Sequence, residues 1–580
     1  MVKTGCLVAG GVLLACAGLA DDGWPLLTLR LDGSCVRNSE RVRELIEVTA
    51  AHPGGMDAIW FCGADGGKTM EAVDAAVKVM APLRDLCEKA GVECSYQQGR
   101  TLGHYTTPYK PPKSPSVQVR SDDSHARDRH GAKLSCYCPR SPDVLAYQEE
   151  LTRHLVAGLR PRAIWLDDDC RLDKAGGWVC FCDRCVAAFN REEGTGFTRE
   201  ELARRLFDSE GEEEVRSKWV NFNARSLALF GAATRRGANR ANPSVRLCLQ
   251  NGAFDSCYTG FDDRPILWEL SDRGRVRTAV RTGSGWYCDE IPRMLTLKLL
   301  GVMTETERLK GYGAWIGSRT YENETCPRIV LQKSADAVVI EDTLAFAAGC
   351  NAISMYWWTG NRDEPLSYYA ELLDALKERR PYFRRLADLA DRTHAGGVAF
   401  ERPADFCNRR LGGERYEDGR LAFRYGNSWT NYWLMISGVP LVPAEAPAAA
   451  RFTQGDVARL LHLAKNDGPT TAQLEAFRDR LDELSGGKVP VRPAKTHRLV
   501  VLPRVGEQGE LRAVTVWNVS IGAMRKMPLR LRRPAAPKFV WTRGGEPDRP
   551  LAAERGKLPG EWVVTLPDVN GYGVGTLFCE

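Results

Sequence analysis

The sequence predicts an α/β protein built on a (β/α)8 TIM barrel, followed by a smaller α/β domain and a C-terminal antiparallel β-sandwich. Three observations carry that expectation. From Trp24 to about Ala390 short apolar runs alternate with helix-like stretches, the signature of parallel βα units. The runs number eight, which fits a sheet closed on itself with no edge left over. From His497 onward short strands follow one another with turn residues between them, as in a sandwich. No G-x-G-x-x-G follows the first run, which argues against an open doubly wound sheet.

Taken in order, the runs are Pro25 to Leu31, Asp57 to Cys62, Val92 to Gln97, Ala163 to Asp167, Ser244 to Gln250, Arg275 to Val280, Ala314 to Ser318 and Ala352 to Trp357. Helical spacing fills the gaps near Glu40 to Ala51, Met70 to Ala90, Pro142 to Leu159, Glu200 to Asn239, Pro292 to Leu309, Ser334 to Ala348 and Leu366 to Arg379, with a weaker segment near Pro265 to Leu270. Ser141 before Pro142 is an N-cap with proline at the first helical position, and Asn38-Ser39 offers another start. The stretch His104 to Ser135 is long, polar and proline-rich; it reads as an active-site wall, because compact domains seldom carry such a loop without a functional reason. The barrel is expected over residues 21–392, the α/β domain over 393–495 and the sandwich over 496–580. The middle region carries two helical pieces, near Asp456 to Lys465 and Thr471 to Ser485.

With 80 Lys and Arg against 74 Asp and Glu, the net charge is +6 over 580 residues, too balanced for a protein that binds nucleic acid through its bulk charge. Apolar residues at 43% and charged residues at 27% exclude a disordered or fibrous chain. Lys3, an apolar stretch from about Gly5 to Leu19, and Asp21-Asp22 form a signal-peptide pattern, so residues 1–20 are expected to direct export to the periplasm or the medium. Gly18-Leu19-Ala20 offers a cleavage site; Leu13-Leu14-Ala15-Cys16 is an imperfect lipobox that would make Cys16 a lipid anchor. No later segment offers about 18 uninterrupted apolar residues, so no membrane span is expected.

In such barrels chemistry sits in the loops after the C-terminal strand ends. The fourth run closes on Asp167-Asp168-Asp169, and three adjacent acids there are costly unless protonated, hydrogen-bonded or used. Alternation would send Asp167 and Asp169 to one side and Asp168 to the other. The competing account is a cap on the next helix or a structural network with Arg171 and Arg184. The seventh run leads into a second acidic cluster, Glu322-Asn323-Glu324, for which capping a helix near Pro327 is the competing role. Glycoside hydrolysis needs two such carboxyl groups, one to protonate the leaving oxygen and one as nucleophile or base. Trp358, Trp286 and Tyr287 offer faces on which a sugar can stack, while Trp60 and Trp357 lie inside apolar runs and read as core. Arg171, Asn251, Arg281, Gln97 and His104 fall near strand ends and are candidates to hydrogen-bond hydroxyls.

Of the 19 cysteines most sit in or beside apolar runs as small hydrophobes. Cys180-Phe181-Cys182-Asp183-Arg184-Cys185 differs, because it places three thiolates within reach of one ion; Cys138, Cys136 or Cys170 is available as a fourth ligand. Four cysteines would leave no open position for water, so zinc there would be structural. Disulfide pairing is the rival reading for an exported chain. No Walker loop, H-E-x-x-H or G-x-S-x-G occurs.

Asp167-Asp168-Asp169 followed by Cys180, Cys182, Cys185 and Phe189 resembles the family 42 β-galactosidases and the wider clan of retaining barrel glycosidases. That family has Asp-Asn-Glu at the end of strand four, with the Glu as acid/base, then a Cys-x-Cys-x-x-Cys-x-x-x-Phe zinc cluster. The resemblance implies that Asp169 is the acid/base, that Asp168 stands in place of a sugar-binding Asn, and that Cys138, in the loop after strand three, is the fourth zinc ligand. The family's Glu-x-x-Pro nucleophile pattern matches Glu324-Thr325-Cys326-Pro327 better than Glu322. An α/β trimerisation domain and a small C-terminal β-domain follow in the family's order, which implies a homo-oligomer. Asp169 is one methylene shorter than the family's Glu, so the substrate does not carry over.

The expectation is therefore an exported glycoside hydrolase with Asp169, Glu324, Asp167 and Glu322 as catalytic candidates, Tyr287 or Arg281 orienting the nucleophile, a carbohydrate substrate and no organic cofactor. One alternative is a carbohydrate-binding barrel that has lost its acid geometry. Another is a divalent-metal hydrolase built on Asp167 to Asp169, since hard cations prefer oxygen ligands.

Overall fold

The computed structural model describes residues 23–63, 67–103, 122–172, 179–209, 211–251, 262–283, 292–357, 364–400, 428–452, 469–533 and 537–580. Its first ten strands are β1 (Leu27–Arg30), β2 (Ala58–Phe61), β3 (Glu93–Gln98), β4 (His125–Arg127), β5 (Lys133–Tyr137), β6 (Ala163–Leu166), β7 (Arg246–Asn251), β8 (Thr278–Thr282), β9 (Ile316–Glu324) and β10 (Ala352–Tyr356). Eight of them close a parallel barrel in the order β1-β2-β3-β6-β7-β8-β9-β10. The other two, β4 and β5, form an antiparallel hairpin between β3 and β6, inside the stretch expected to be a loop wall.

Period-two alternation sorts each strand into two faces. Leu27, Leu29, Ile59, Phe61, Ile164, Leu166, Leu247 and Leu249 join the large core shared with the helices. Trp60, Ala163, Trp165, Cys248 and Ala279 form a separate cluster that fills the lumen, with Trp24 packed against it. Trp60 stacks on Trp165 with ring centroids 4.1 Å apart. Trp60 and Trp357 are both buried, in line with a core role. Gly317 is required where β9 passes Trp24, because a Cβ there would lie 2.2 Å from the indole nitrogen.

Above this plug the inward positions turn polar: Arg30, Gln97, Gln250, Arg281 and Glu322 are all buried. That change explains why β9 runs to Glu324 and not to the expected Ser318. Thr320, Glu322 and Glu324 occupy alternate positions there, so an apolar-run criterion stops six residues early. For the same reason β8 ends at Thr282, past the expected Val280.

Beyond the barrel come β11 (His394–Ala395), β12 (Gly397–Phe400), β13 (Leu441–Val442), β14 (Ala448–Phe452), β15 (Val491–Pro493), β16 (Leu499–Val505), β17 (Leu511–Asn518), β18 (Pro528–Arg532), β19 (Phe539–Thr542), β20 (Arg549–Leu551), β21 (Ala553–Arg555), β22 (Glu561–Thr565) and β23 (Val574–Cys579). A parallel sheet β13-β12-β14 accompanies the helices Ser428–Ile436 and Thr471–Leu484. The helix expected near Asp456 to Lys465 lies outside the described residues. The sheets β11-β16-β17-β23-β19-β20 and β15-β18-β22-β21 share a second core that includes Val514, Trp541, Leu529 and Val564. Among the described residues no helix is long and apolar enough to cross a membrane.

A buried ion cluster ties this unit to the barrel. Glu307, near the end of the helix Pro292–Lys310, lies 2.7 Å from His394 Nδ1, accepts from the Ala395 amide at 2.8 Å and meets Arg504 of β16 at 3.4 Å. Burial alone would raise its carboxyl, but His394, Arg504 and Lys310 together hold it down to about 2. A depressed carboxyl gives stability that is fully present above its unfolded pKa, near 4.5, and is lost as pH falls toward 2. We expect acid to remove about 3 kcal/mol from this junction over that window. Tryptophan-monitored unfolding of wild type and Glu307→Gln between neutral and acid pH checks it: over this window the wild type should lose about 3 kcal/mol more than the variant.

Candidate active site

The mouth of the barrel is an ionic network laid across the lumen. Arg30, at the end of β1, donates to Gln97 of β3 and Glu322 of β9, and its guanidinium lies 3.6 Å from Asp167. Arg281 of β8 donates to the other oxygen of Glu322 at 2.8 Å, to the amide oxygen of Gln250 at 3.0 Å and to the Gly283 carbonyl at 2.7 Å. Its far side is 4.0 Å from Asp168. Glu322, its side chain 4% exposed, therefore has both oxygens held by arginine at the floor of the mouth. Burial pushes its carboxyl up to about 7, against the pull of Arg281 and Arg30. Two residues nearer the rim, Glu324 accepts from Arg328 at 2.7 Å through one oxygen, with its side chain 13% exposed. Tyr356 is sandwiched between Arg30 and Arg328, at 4.4 and 3.7 Å from the ring centroid.

The three aspartates separate differently from the expectation. The strand stops at Leu166 and the chain turns at once, with the Cys170 amide donating to the Asp167 carbonyl at 3.1 Å. Asp167 keeps the inward direction of Trp165 and meets Arg30; Asp168, its side chain 24% exposed, reaches toward Arg281 from the turn. Asp169 is fully buried and turned to the loop after β3, where it accepts from the Thr101 amide at 3.0 Å, the Thr101 hydroxyl, and the Gly103 amide at 2.7 Å. These three donors occupy both of its oxygens and fix the side chain in place, pointing away from the lumen. The geometry thus runs against Asp169 as the proton donor and against its sharing a side with Asp167.

Asn251 is likewise turned away from the lumen. Its amide donates to Glu305 at 3.1 Å on the surrounding helix layer, while the preceding Gln250 faces inward. Arg171 is half-buried beside the turn, and Arg184 donates to the Asp123 carbonyl at 3.1 Å. His104, Trp286, Tyr287 and Trp358 lie outside the described residues. Sequence reasoning passed over Arg30, Gln250, Arg328 and Tyr356. The signal for Arg30 was available as a lone arginine closing the apolar run Leu27-Thr28-Leu29-Arg30.

Behind β9 a second network faces the helices. Lys333, its side chain fully buried, donates to Asn323 Oδ1 at 2.8 Å, to the Glu324 carbonyl at 2.9 Å and to Glu341 at 2.6 Å. Tyr321 donates to the other oxygen of Glu341 at 2.7 Å, and Asn323 donates to Asp342 at 2.8 Å. The outward residues of β9 are thus bolted to the helix Ala335–Ala347 while the inward ones face the lumen.

Cys138 follows β5, Cys180 and Cys182 lead into the helix Asp183–Glu193, and Cys185 stands in its first turn. Their four sulfurs lie within 4.8 Å of one another, with Cys138 3.8 Å from Cys182 and 3.5 Å from Cys185. A tetrahedral ion bound by thiolates about 2.3 Å away would space them by about 3.8 Å, whereas a disulfide needs about 2.05 Å. The spacing of the four sulfurs fits a single tetrahedral metal ion. Phe181 and Phe189 pack on Trp219 beneath them.

A closed parallel barrel with acids and arginines at the C-terminal ends of its strands places a polar site where (β/α)8 enzymes of many chemistries carry theirs. Solved structures narrow the fold further. The chain matches a β-galactosidase from Bacillus circulans sp. alkalophilus at 11% identity over 96% of this chain and 99% of that one, with a TM-score of 0.58. It also matches an α-L-fucosidase isoenzyme 2 from Paenibacillus thiaminolyticus (9%, covering 96% and 100%, TM-score 0.58). A catalytic mutant of a glycoside hydrolase family 42 β-galactosidase from G. stearothermophilus matches similarly (8%, covering 96% and 98%, TM-score 0.57). The fold is that of the family 42 β-galactosidases along almost the whole of both chains. No family model matches the sequence, and no curated protein does.

Proposed function

We propose that the protein is a glycoside hydrolase acting by a two-carboxylate mechanism, with Asp168 as proton donor and Glu324 as nucleophile. The observation that carries this reading is that, among the described acids of the network, these two keep part of their side chains accessible, at 24% and 13%, above the floor formed by Arg30, Glu322 and Arg281. A carboxyl group must reach the substrate to react, and Asp167, Asp169 and Glu322 are all buried. Arg328 holds one oxygen of Glu324 and leaves the other for attack on the anomeric carbon. The fold shared with β-galactosidases and an α-fucosidase supports the class, and the leader-like residues 1–20 support action outside the cytoplasm. A panel of aryl glycosides tests it: wild type should release the phenol from at least one, and failure on every sugar would overturn the reading.

We propose further that Cys138, Cys180, Cys182 and Cys185 hold a structural zinc. Such an ion would join the hairpin after β3 to the helix after β6, the two excursions that flank Asp168. Elemental analysis of protein purified without added metal should find one zinc per chain, and Cys185→Ser should lose it together with several kcal/mol of stability. Disulfides in place of free thiols would exclude the site.

A further inference from the structure

A cavity of about 490 Å³ lies between the barrel and the sandwich, on the outer side of the helices Ala335–Ala347 and Leu366–Arg392, and nothing in the barrel chemistry uses it. We propose that it is a second carbohydrate site, built for a neutral oligosaccharide chain and independent of the reaction at the barrel mouth.

The first support is Tyr572, which lines the cavity and remains 38% exposed. Its backbone is left-handed, with φ +56°, a conformation that costs a bulky side chain roughly 1–2 kcal/mol. Both of its peptide groups are pinned: its amide donates to the Ser520 carbonyl at 3.0 Å, and its carbonyl accepts from the Trp517 indole at 3.1 Å. Glycine is the ordinary residue for such a position, and glycines stand on either side of it. A partly exposed tyrosine kept in a costly conformation where glycine would be free marks a position held for its ring, which offers a face to the CH side of a sugar.

The second support is the chemistry around the ring. Arg379, Arg543, Asp336 and Glu546 also line the cavity, two cations and two anions, so the wall carries no net charge toward an ionic ligand. These groups and Asn570 offer donors and acceptors for hydroxyls. Arg543 and Glu546 pair with each other at 3.2 Å along this wall, which holds the two groups in place beside the cavity. The volume falls in the range of small-molecule sites, roughly 300–1,000 Å³. Gly544 keeps the wall tight, because a Cβ there would lie 2.7 Å from the Arg379 side chain and 2.8 Å from Tyr382.

The test uses the full chain carrying Glu324→Gln, so that no ligand is consumed, titrated calorimetrically with galacto-, gluco- and xylo-configured tetra- to hexasaccharides. Tyr572→Gly on that background should weaken one binding event by roughly tenfold or more while the melting temperature holds or rises, since glycine relieves the left-handed strain. Tyr572→Phe should bind within a few-fold of the parent. Wild-type and Tyr572→Gly proteins should cleave small aryl glycosides alike, so silence in that assay would count against the barrel reading and leave the binding result to stand alone. Binding unchanged by Tyr572→Gly, or no binding by any of these sugars, would overturn the proposal. So would a sedimenting oligomer that Tyr572→Gly disperses, which would make the cavity a contact between copies.

Discussion

Glu324→Gln is expected to lower kcat/KM by roughly 10⁴-fold, about 5.5 kcal/mol of transition-state stabilisation, on any aryl glycoside the wild type cleaves. The amide keeps the shape and the hydrogen-bonding reach toward Arg328 but cannot attack an anomeric carbon. Two companion measurements separate its role from that of Asp168. Shortening the nucleophile to Glu324→Ala opens room for azide, which should restore turnover and yield a glycosyl azide of inverted configuration. Asp168→Asn removes the proton donor, so it should slow substrates with poor leaving groups far more than dinitrophenyl glycosides, whose leaving group needs no proton. A glycosyl azide of inverted configuration from Asp168→Ala, with none from Glu324→Ala, would exchange the two roles, whereas a retained azide from an Asp168 variant is what an acid/base role predicts. Rescue of neither, with Glu322→Gln alone inactive, would move the chemistry down to the floor of the mouth.

How far this site could be read in advance depended on whether local pattern or strand phase decided each point. The barrel was legible because eight apolar runs alternate with helical spacing, and the outward faces of those strands pack as that alternation requires. The four cysteines came together as expected because three sit within six residues and the fourth lies in the loop after β3. Phase was the harder quantity. Alternation puts Asp169 on the side of Asp167 and the family resemblance makes it the acid/base, but the strand ends at Leu166 and the turn brings Asp168, not Asp169, toward Arg281. Asn251 and Gln250 differ by one residue, and one residue decides which face a side chain takes. Long-range partners left no local trace. Nothing near Glu322 in the chain announces that Arg30 and Arg281, 292 and 41 residues away, close on its two oxygens.

Lys333→Met is expected to cost about 3–5 kcal/mol, lowering the melting temperature of the barrel by roughly 10 °C. The argument is one of stranded charge. Lys333 and Glu341 are both fully buried and pair at 2.6 Å, so each offsets a large part of the other's burial cost. Removing the ammonium takes from Glu341 its 2.6 Å ion pair and leaves it beside Asp342, whose carboxyl burial already pushes far above its usual range. A neutral pair of similar volume avoids that penalty, so Lys333→Met/Glu341→Leu should recover most of the loss. Function should not recover in parallel, because Lys333 also holds the Glu324 carbonyl and Asn323. Without that clamp the end of β9 is free to shift, and a displacement of about 1 Å at a reacting group costs on the order of 10²-fold in rate. The double variant should therefore melt close to wild type and still turn over slowly, with kcat reduced more than KM is raised. Recovery of both stability and turnover would show that the network only holds the helix Ala335–Ala347 in place. Recovery of neither would show that Asn323 and Asp342 depend on the ammonium for their own pairing.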